Sequence, residues 1–195
     1  FNAGVFLVDK PVGPSSFTMV RHVRKLLGIK KVGHAGTLDP FASGLLIICA
    51  GRPATRMISS FMDGDKEYLA TLCLGRQTST LDPEGEVVGE GAVGYLSAGR
   101  IESCLAWFRG EQLQEPPAYS ALKYKGKPLY YYARKGIEVK KEPRRVHIHE
   151  LERIGTTGDL CGYHPQLQLR VVCSKGTYIR TLAADIGSAL GCGAY

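Results

Sequence analysis

No C-x-x-C pair, no H-E-x-x-H motif and no apolar run longer than Leu45 to Ala50 occurs in this chain of 195 residues, and each absence closes a class of protein. A run of that length is strand-sized, far below the roughly 18 to 20 residues of a membrane-spanning helix. Six cysteines, Cys49, Cys73, Cys104, Cys161, Cys173 and Cys192, are spaced too widely for a metal knuckle and read as reduced, mostly buried thiols. His147 and His149 would share a strand face with no third ligand close in sequence, so no metal is expected. Missing too are the phosphate cradles G-x-G-x-x-G and G-x-x-x-x-G-K-[ST], and the G-x-S-x-G nucleophile elbow. The sequence therefore predicts neither a nucleotide cofactor nor a serine hydrolase. No signal segment opens the chain and its first residue is Phe1 rather than Met, so the numbering is expected to begin inside a longer gene product of the cytoplasm. With 44% hydrophobic residues the chain is not disordered and can bury one ordinary core.

Acidic residues are in short supply: 18 against 25 basic ones, a net charge of +7. Residues Tyr119 to Arg145 hold nine basic and two acidic residues, which leaves 16 of each sign elsewhere and predicts a neutral body bearing one cationic element. The same stretch carries Tyr119, Tyr124, Tyr130, Tyr131 and Tyr132, half of the ten tyrosines. Cations displace counterions from a phosphate backbone while rings stack on bases, so the composition suits RNA. A solvated, loop-rich face is the plain alternative. With dense like charge, few aliphatic residues and the breakers Gly126, Pro128 and Gly136, the stretch is expected to pack poorly by itself.

Periodicity predicts strands over Val5 to Val8, Leu45 to Ala50, Lys66 to Leu74, around Val146 and Ile148, and over Gln166 to Cys173. Helices are predicted after Ser16 as N-cap, with Phe17, Val20, Val23 and Leu27 as the apolar stripe; over Pro53 to Met62; after Ser97; and from Thr177, with Gly191 as the stop. Val32 to Gly44, with three glycines and a proline, reads as a shaped loop. Both faces of the Lys66 strand are expected to be partly covered. No strict βαβ rhythm appears, which favours a mixed sheet with flanking helices.

Within the shaped loop sits the one carboxylate in a chemically suggestive setting. Pro40 restricts Asp39, while Gly33, Gly36 and Gly44 permit close approach by a ligand. The chain carries its own control, because Thr37-Leu38-Asp39-Pro40 recurs as Thr80-Leu81-Asp82-Pro83, followed by Glu84-Gly85-Glu86. The second copy reads as a polar turn without hydrophobic or glycine support, and replacing Asp82 is expected to do almost nothing.

Five segments, Asp9-Lys10-Pro11, Gly33 to Pro40, Asp65-Lys66-Glu67-Tyr68, Tyr119-Ser120-Ala121-Leu122-Lys123 and Cys173 to Arg180, resemble in that order the TruB-type tRNA pseudouridine(55) synthases. The resemblance spans nearly the whole chain. It implies an α+β pseudouridine synthase fold, a mixed and mainly antiparallel sheet with flanking helices and loops around a central cleft. It implies a catalytic domain over residues 1–195 with a thumb insertion at about 119–139 that closes on the T-stem-loop of tRNA, the C-terminal RNA-binding PUA domain of such proteins being absent from this chain. Asp39 matches the family's catalytic aspartate, Tyr68 its active-site tyrosine and Arg180 its aspartate-pairing arginine. Lys10, Pro11, His34 and Tyr178 match further cleft positions, and the thumb cations Lys123, Lys125 and Lys127 would meet RNA phosphates. No cofactor, no membrane and no protein partner are implied, and a monomer is expected.

The chemistry implied is isomerisation of uridine: the N-glycosidic bond breaks, the base turns and rejoins the sugar through carbon. Asp39 would attack either the sugar C1′ or the base C6, with Arg180 holding it ionised and Tyr68 stacked on the uracil. Two other readings compete. An RNA-folding factor would need only the cationic element, and the two activities could coexist; an Asp-nucleophile glycosidase would need a second acid, for which Asp9 and Asp65 are the candidates.

Overall fold

The computed structural model describes residues 2–195, in two compact units: one that ends at Gly64 and one that runs from Asp65 to Tyr195. Strand pairings in both units are antiparallel among the described residues.

The first unit contains β1 (Gly4–Lys10), α1 (Ser16–Leu27), β2 (Val32–Ala35), β3 (Gly44–Ala50), α2 (Arg52–Thr55) and α3 (Ile58–Asp63), with strand order β1-β3-β2. Alternation sends Phe6, Val8, Leu46 and Ile48 to the face covered by Val20, Val23 and Leu27 of α1. The opposite face leaves Leu7 and Leu45 exposed. The N-cap of α1 is Ser15, whose Oγ accepts from Thr18 N at 3.1 Å, one residue earlier than expected. Phe17 also departs from the predicted stripe: it is exposed, with the guanidinium groups of Arg21 and Arg24 6.0 and 5.7 Å from its ring centroid. The first four residues of the predicted loop, Val32–Ala35, form an edge strand, because β3 offers them a free side to pair with. The single helix expected over Pro53 to Met62 is two short ones.

The second unit contains β4 (Lys66–Cys73), β5 (Arg76–Thr78), β6 (Val87–Glu90), β7 (Val93–Leu96), α4 (Ala98–Trp107), β8 (Gly110–Gln114), β9 (Lys123–Tyr124), β10 (Lys127–Pro128), α5 (Leu129–Ala133), β11 (Arg144–Arg153), β12 (Leu160–Gly162), β13 (Gln166–Cys173) and α6 (Ile179–Leu190). Its main sheet has the order β4-β13-β11-β8. Leu167, Leu169, Val171 and Cys173 of β13 are fully buried on one face together with Ile101 and Leu105 of α4 and Ile186 of α6. Each such large apolar side chain contributes about 1.5–3 kcal/mol. In β11 both Ile148 and Leu151 face this core although they are three residues apart. The register shift between Ile148 and Glu150 makes that possible, since a strand keeps one face only at even spacing unless a bulge adds a residue. The other face is more open than expected. Leu69 of β4 is 75% exposed and Arg170 spreads between Glu67, Glu150 and Glu152 there.

The last helix starts at Ile179, two residues beyond Thr177, whose Oγ1 instead donates to Ser174 O at 2.8 Å and closes a turn. Its far end packs on residues 192–195, where Cys73 and Tyr195 exchange main-chain hydrogen bonds of 2.9 and 3.3 Å. Gly187 is required there, because a Cβ would meet Ala194 N at 2.3 Å.

Candidate functional site

In the first unit the loop carrying Asp39 is shaped by side chains that bond to main chain. Ser16, freed from capping by the one-residue shift, is buried, and its Oγ both donates to Leu38 O and accepts from Leu38 N, each at 2.9 Å. Lys10 is wholly buried at the end of β1, and its ammonium donates to the carbonyls of Pro11 and Pro14 at 2.9 Å and of Pro40 at 3.3 Å. A buried ammonium is tolerable only with such partners. Gly13 N donates to Pro40 O at 2.8 Å, and Ala42 N to Asp39 O at 3.1 Å. The peptides on both sides of Asp39 are thereby fixed, and Asp39 itself is half-buried. His34 on β2 lies two residues before the main-chain carbonyl its Nδ1 bonds, that of Gly36. Pro11 is exposed.

The first unit is also strongly cationic, with eight basic residues against three acidic. Arg24, Lys31, Arg52 and Arg56 line a cleft of about 560 Å³ with Val32, Gly33, Thr55 and Ile58. Arg24 reaches into it while donating to Val32 O at 3.0 Å. Outside the Tyr119–Arg145 stretch the second unit holds eight basic residues against 13 acidic. The expected neutral body is thus the sum of a cationic unit and an acidic scaffold, which whole-chain arithmetic hides.

In the second unit Arg180, on the first turn of α6, is 8% exposed. Its guanidinium donates to Thr80 O at 2.9 Å, to Tyr119 O at 2.8 Å and to Asp82 Oδ2 at 3.3 Å. Arg180 therefore joins the second Thr-Leu-Asp-Pro copy to the start of the basic stretch. The reading of Asp82 as an unsupported polar turn is corrected. Asp82 is 6% exposed; its Oδ1 accepts from Thr80 Oγ1 at 2.5 Å and Glu84 N at 3.0 Å, and its peptide is bracketed by Thr78 Oγ1. Gly85 is required beside it, since a Cβ would lie 2.3 Å from Thr80 Oγ1. Sequence reasoning missed Gln114 as well. That buried side chain accepts from Tyr178 N at 2.7 Å and donates to Tyr178 O at 3.1 Å, fixing the residue that leads into α6. The sequence of Gly110–Gln114 gives no signal for it, since its one apolar side chain, Leu113, is exposed. Tyr68 on β4 is half-buried, its ring packed on the unit's core.

The basic stretch is more organised than its composition suggests. Tyr124 and Lys127 pair across a two-residue loop, Lys125-Gly126, with φ of 44° and 81°, the pattern of a type I′ turn. Leu129 is buried, and Leu129 N and Tyr130 N donate to Leu122 O and Ser120 O at 2.8 and 3.2 Å. The tyrosines pack on one another edge to face, Tyr124 on Tyr132 at 5.7 Å and Tyr131 on Tyr132 at 5.4 Å. Cations sit over rings: Lys125 over Tyr124, Lys127 and Lys135 over Tyr131, Arg134 over Tyr130. The like-charge repulsion that predicted poor packing is offset by these contacts. Lys123, Lys125 and Lys127 are exposed.

Residues 24–179 match the family model described as the TruB family pseudouridylate synthase N-terminal domain. Among curated proteins, the chain is 68% identical over 195 residues to the tRNA pseudouridine synthase B of Desulfotalea psychrophila, covering all of this chain and 79% of that one. It is 52% identical over 192 residues to the enzyme of the same name from an Azoarcus strain, covering 98% of this chain and 61% of that one. The chain thus spans about three fifths to four fifths of the length of these relatives. Among solved structures it is similar to a chain of a Cbf5-Nop10-Gar1 complex, at 31% identity and a TM-score of 0.70, over 98% of this chain and 46% of that one. A similar match, with a TM-score of 0.67, is to a chain of an H/ACA RNP bound to a substrate RNA containing 2′-deoxyuridine.

Proposed function

The chain belongs to the TruB family of pseudouridylate synthases, and on that basis we propose that it converts a uridine in the T-loop of tRNA to pseudouridine, with Asp39 as the nucleophile. The observation that carries this reading is the Asp39 loop. Buried Lys10 and Ser16 hold its main chain from both sides, which is what a carboxylate needs if it is to meet a reacting atom in a fixed pose. Attack at C1′ expels uracil and leaves a glycosyl ester; attack at C6 leaves the base bonded to Asp39, and the sugar carbon C1′ then departs from N1. Either way the C1′–N1 bond breaks, a C1′–C5 bond forms, C5 loses a proton while N1 gains one, and Asp39 is regenerated, with no net oxidation. Arg180 would keep the carboxylate ionised, Tyr68 would stack on the turned base, and His34, Pro11 and Tyr178 would be further substrate contacts.

The target base lies in a folded loop and must be extruded at a cost of a few kcal/mol. Contacts to phosphate would offset it, through Lys123, Lys125 and Lys127 in the thumb and through Arg24, Lys31, Arg52 and Arg56 in the first unit's cleft. The testing experiment is incubation with unmodified tRNA followed by mapping of pseudouridine. One new pseudouridine in the T-loop is expected. Tight tRNA binding without conversion would overturn the isomerase reading and leave an RNA-binding protein.

A further inference from the structure

One cluster of titratable groups lies outside the Asp39 loop and the Arg180 network. Tyr131, midway along α5, stands between Lys127 of β10, one turn before it, and Lys135, one turn after it. Lys127 Nζ donates to Tyr131 Oη at 3.0 Å and lies 4.2 Å from the ring centroid; Lys135 Nζ lies 4.6 Å from the same centroid. Tyr132 closes the remaining side edge to face, and its own hydroxyl donates to Tyr124 O at 3.1 Å. One ring thus collects two ammonium groups that would otherwise repel and swing on long, flexible stems. Tyrosine in this setting is not free to stack on a base.

We propose that Tyr131 is a positioning residue that gathers Lys127 and Lys135 into one clamp for a single RNA phosphate group or two adjacent ones. This rests on the reading of the stretch as an RNA-binding thumb. The physical gain is preorganisation: lysine pays heavily in rotamer freedom when it is fixed only on binding, and a ring that already holds both stems removes part of that cost. The ring face attracts the cations without neutralising them, so both charges remain available to phosphate.

The same contact makes the clamp sensitive to alkali. Hydrogen bonding from Lys127 and then Lys135, together with their charges, brings the Tyr131 phenol down to about 8. The groups facing it are those two ammonium groups and the phenol of Tyr132, with Arg134 held over Tyr130 on the same helix. Lys127 is pushed up by the same bond and stays charged as the phenol ionises. The phenolate then cancels one of the two positive charges, so RNA affinity falls as pH rises through the Tyr131 midpoint. Reciprocally, bound RNA must raise that midpoint.

The test uses the whole chain, unmodified tRNA and four variants: Tyr131→Phe, Tyr131→Ala, Lys127→Ala and Lys135→Ala. Ultraviolet difference titration without RNA should show one tyrosine ionising near the Tyr131 midpoint, absent in Tyr131→Phe. Salt titrations at neutral pH should show each lysine variant flattening the plot of log affinity against log salt by about one unit. Tyr131→Ala should weaken binding by roughly three- to tenfold, and Tyr131→Phe, which keeps the ring, by less than about twofold. Between about pH 7 and about pH 9 the wild type should lose affinity relative to Tyr131→Phe. If the lysine variants keep the wild-type slope, the thumb is not the RNA footprint and the broader reading fails. If the lysine variants flatten the slope while Tyr131→Ala binds like wild type and the pH curves coincide, the thumb binds RNA and the clamp is wrong.

Discussion

The tetrapeptide Thr-Leu-Asp-Pro occurs once in each unit, and its two copies sit in different surroundings. Around Asp39 the neighbouring main chain is gripped by Ser16 on Leu38 and by Lys10 and Gly13 on Pro40. Around Asp82 the grip includes the carboxylate itself, one oxygen taken by Thr80 and Glu84 and the other by Arg180. Identical local sequence, with the same turn propensity, gives a half-buried Asp39 in one place and a buried Asp82 bonded to Arg180 in the other. The partners that decide the difference arrive from 22 to 98 residues away.

The largest effect that would sharpen this contrast is on turnover. Asp39→Asn is expected to reduce pseudouridine formation by roughly 10³-fold or more while tRNA binding stays near wild type, read by conversion and binding assays side by side. Next in size is Arg180→Ala, which strips a buried carboxylate and two carbonyls of their donor. It should cost about 3–5 kcal/mol in chemical unfolding and lower turnover as well. Asp82→Asn should be milder, about 1–3 kcal/mol, because the amide oxygen still accepts from Thr80 and Glu84 but no longer opposes the guanidinium. Turnover should fall with it, and equal, near-complete losses in Asp39→Asn and Asp82→Asn would erase the distinction between the two copies. The smallest change is expected for Ser16→Ala, about 1–2 kcal/mol with a several-fold slower turnover, since Lys10 still holds the other side of the loop.

Much of this molecule was legible before any coordinates. The alternation of Leu167, Leu169, Val171 and Cys173 predicted a strand with one fully buried face, and the left-handed stops at Gly28 and Gly191 fell where a residue without a Cβ was needed. Motif order identified the family. What escaped were properties set by distant partners. Ser15 and Ser16 are equally good caps by local chemistry, and only the position of Leu38 decides which one is spared. Asp82 looked inert because its environment is supplied by a helix nearly a hundred residues later. Neutrality of the body was an artefact of summing two units of opposite sign. The thumb looked loose because composition counts charges but not the rings beneath them.

The turn at Lys125-Gly126 carries one more consequence. Lys125 is one of the few non-glycine residues here with positive φ, a conformation in which lysine is strained and asparagine at ease. Its charge is therefore carried against the preference of its own backbone. Asparagine at this position would tighten the hairpin while removing a cation, so at this one residue the thumb's electrostatic pull is traded against the rigidity of its tip.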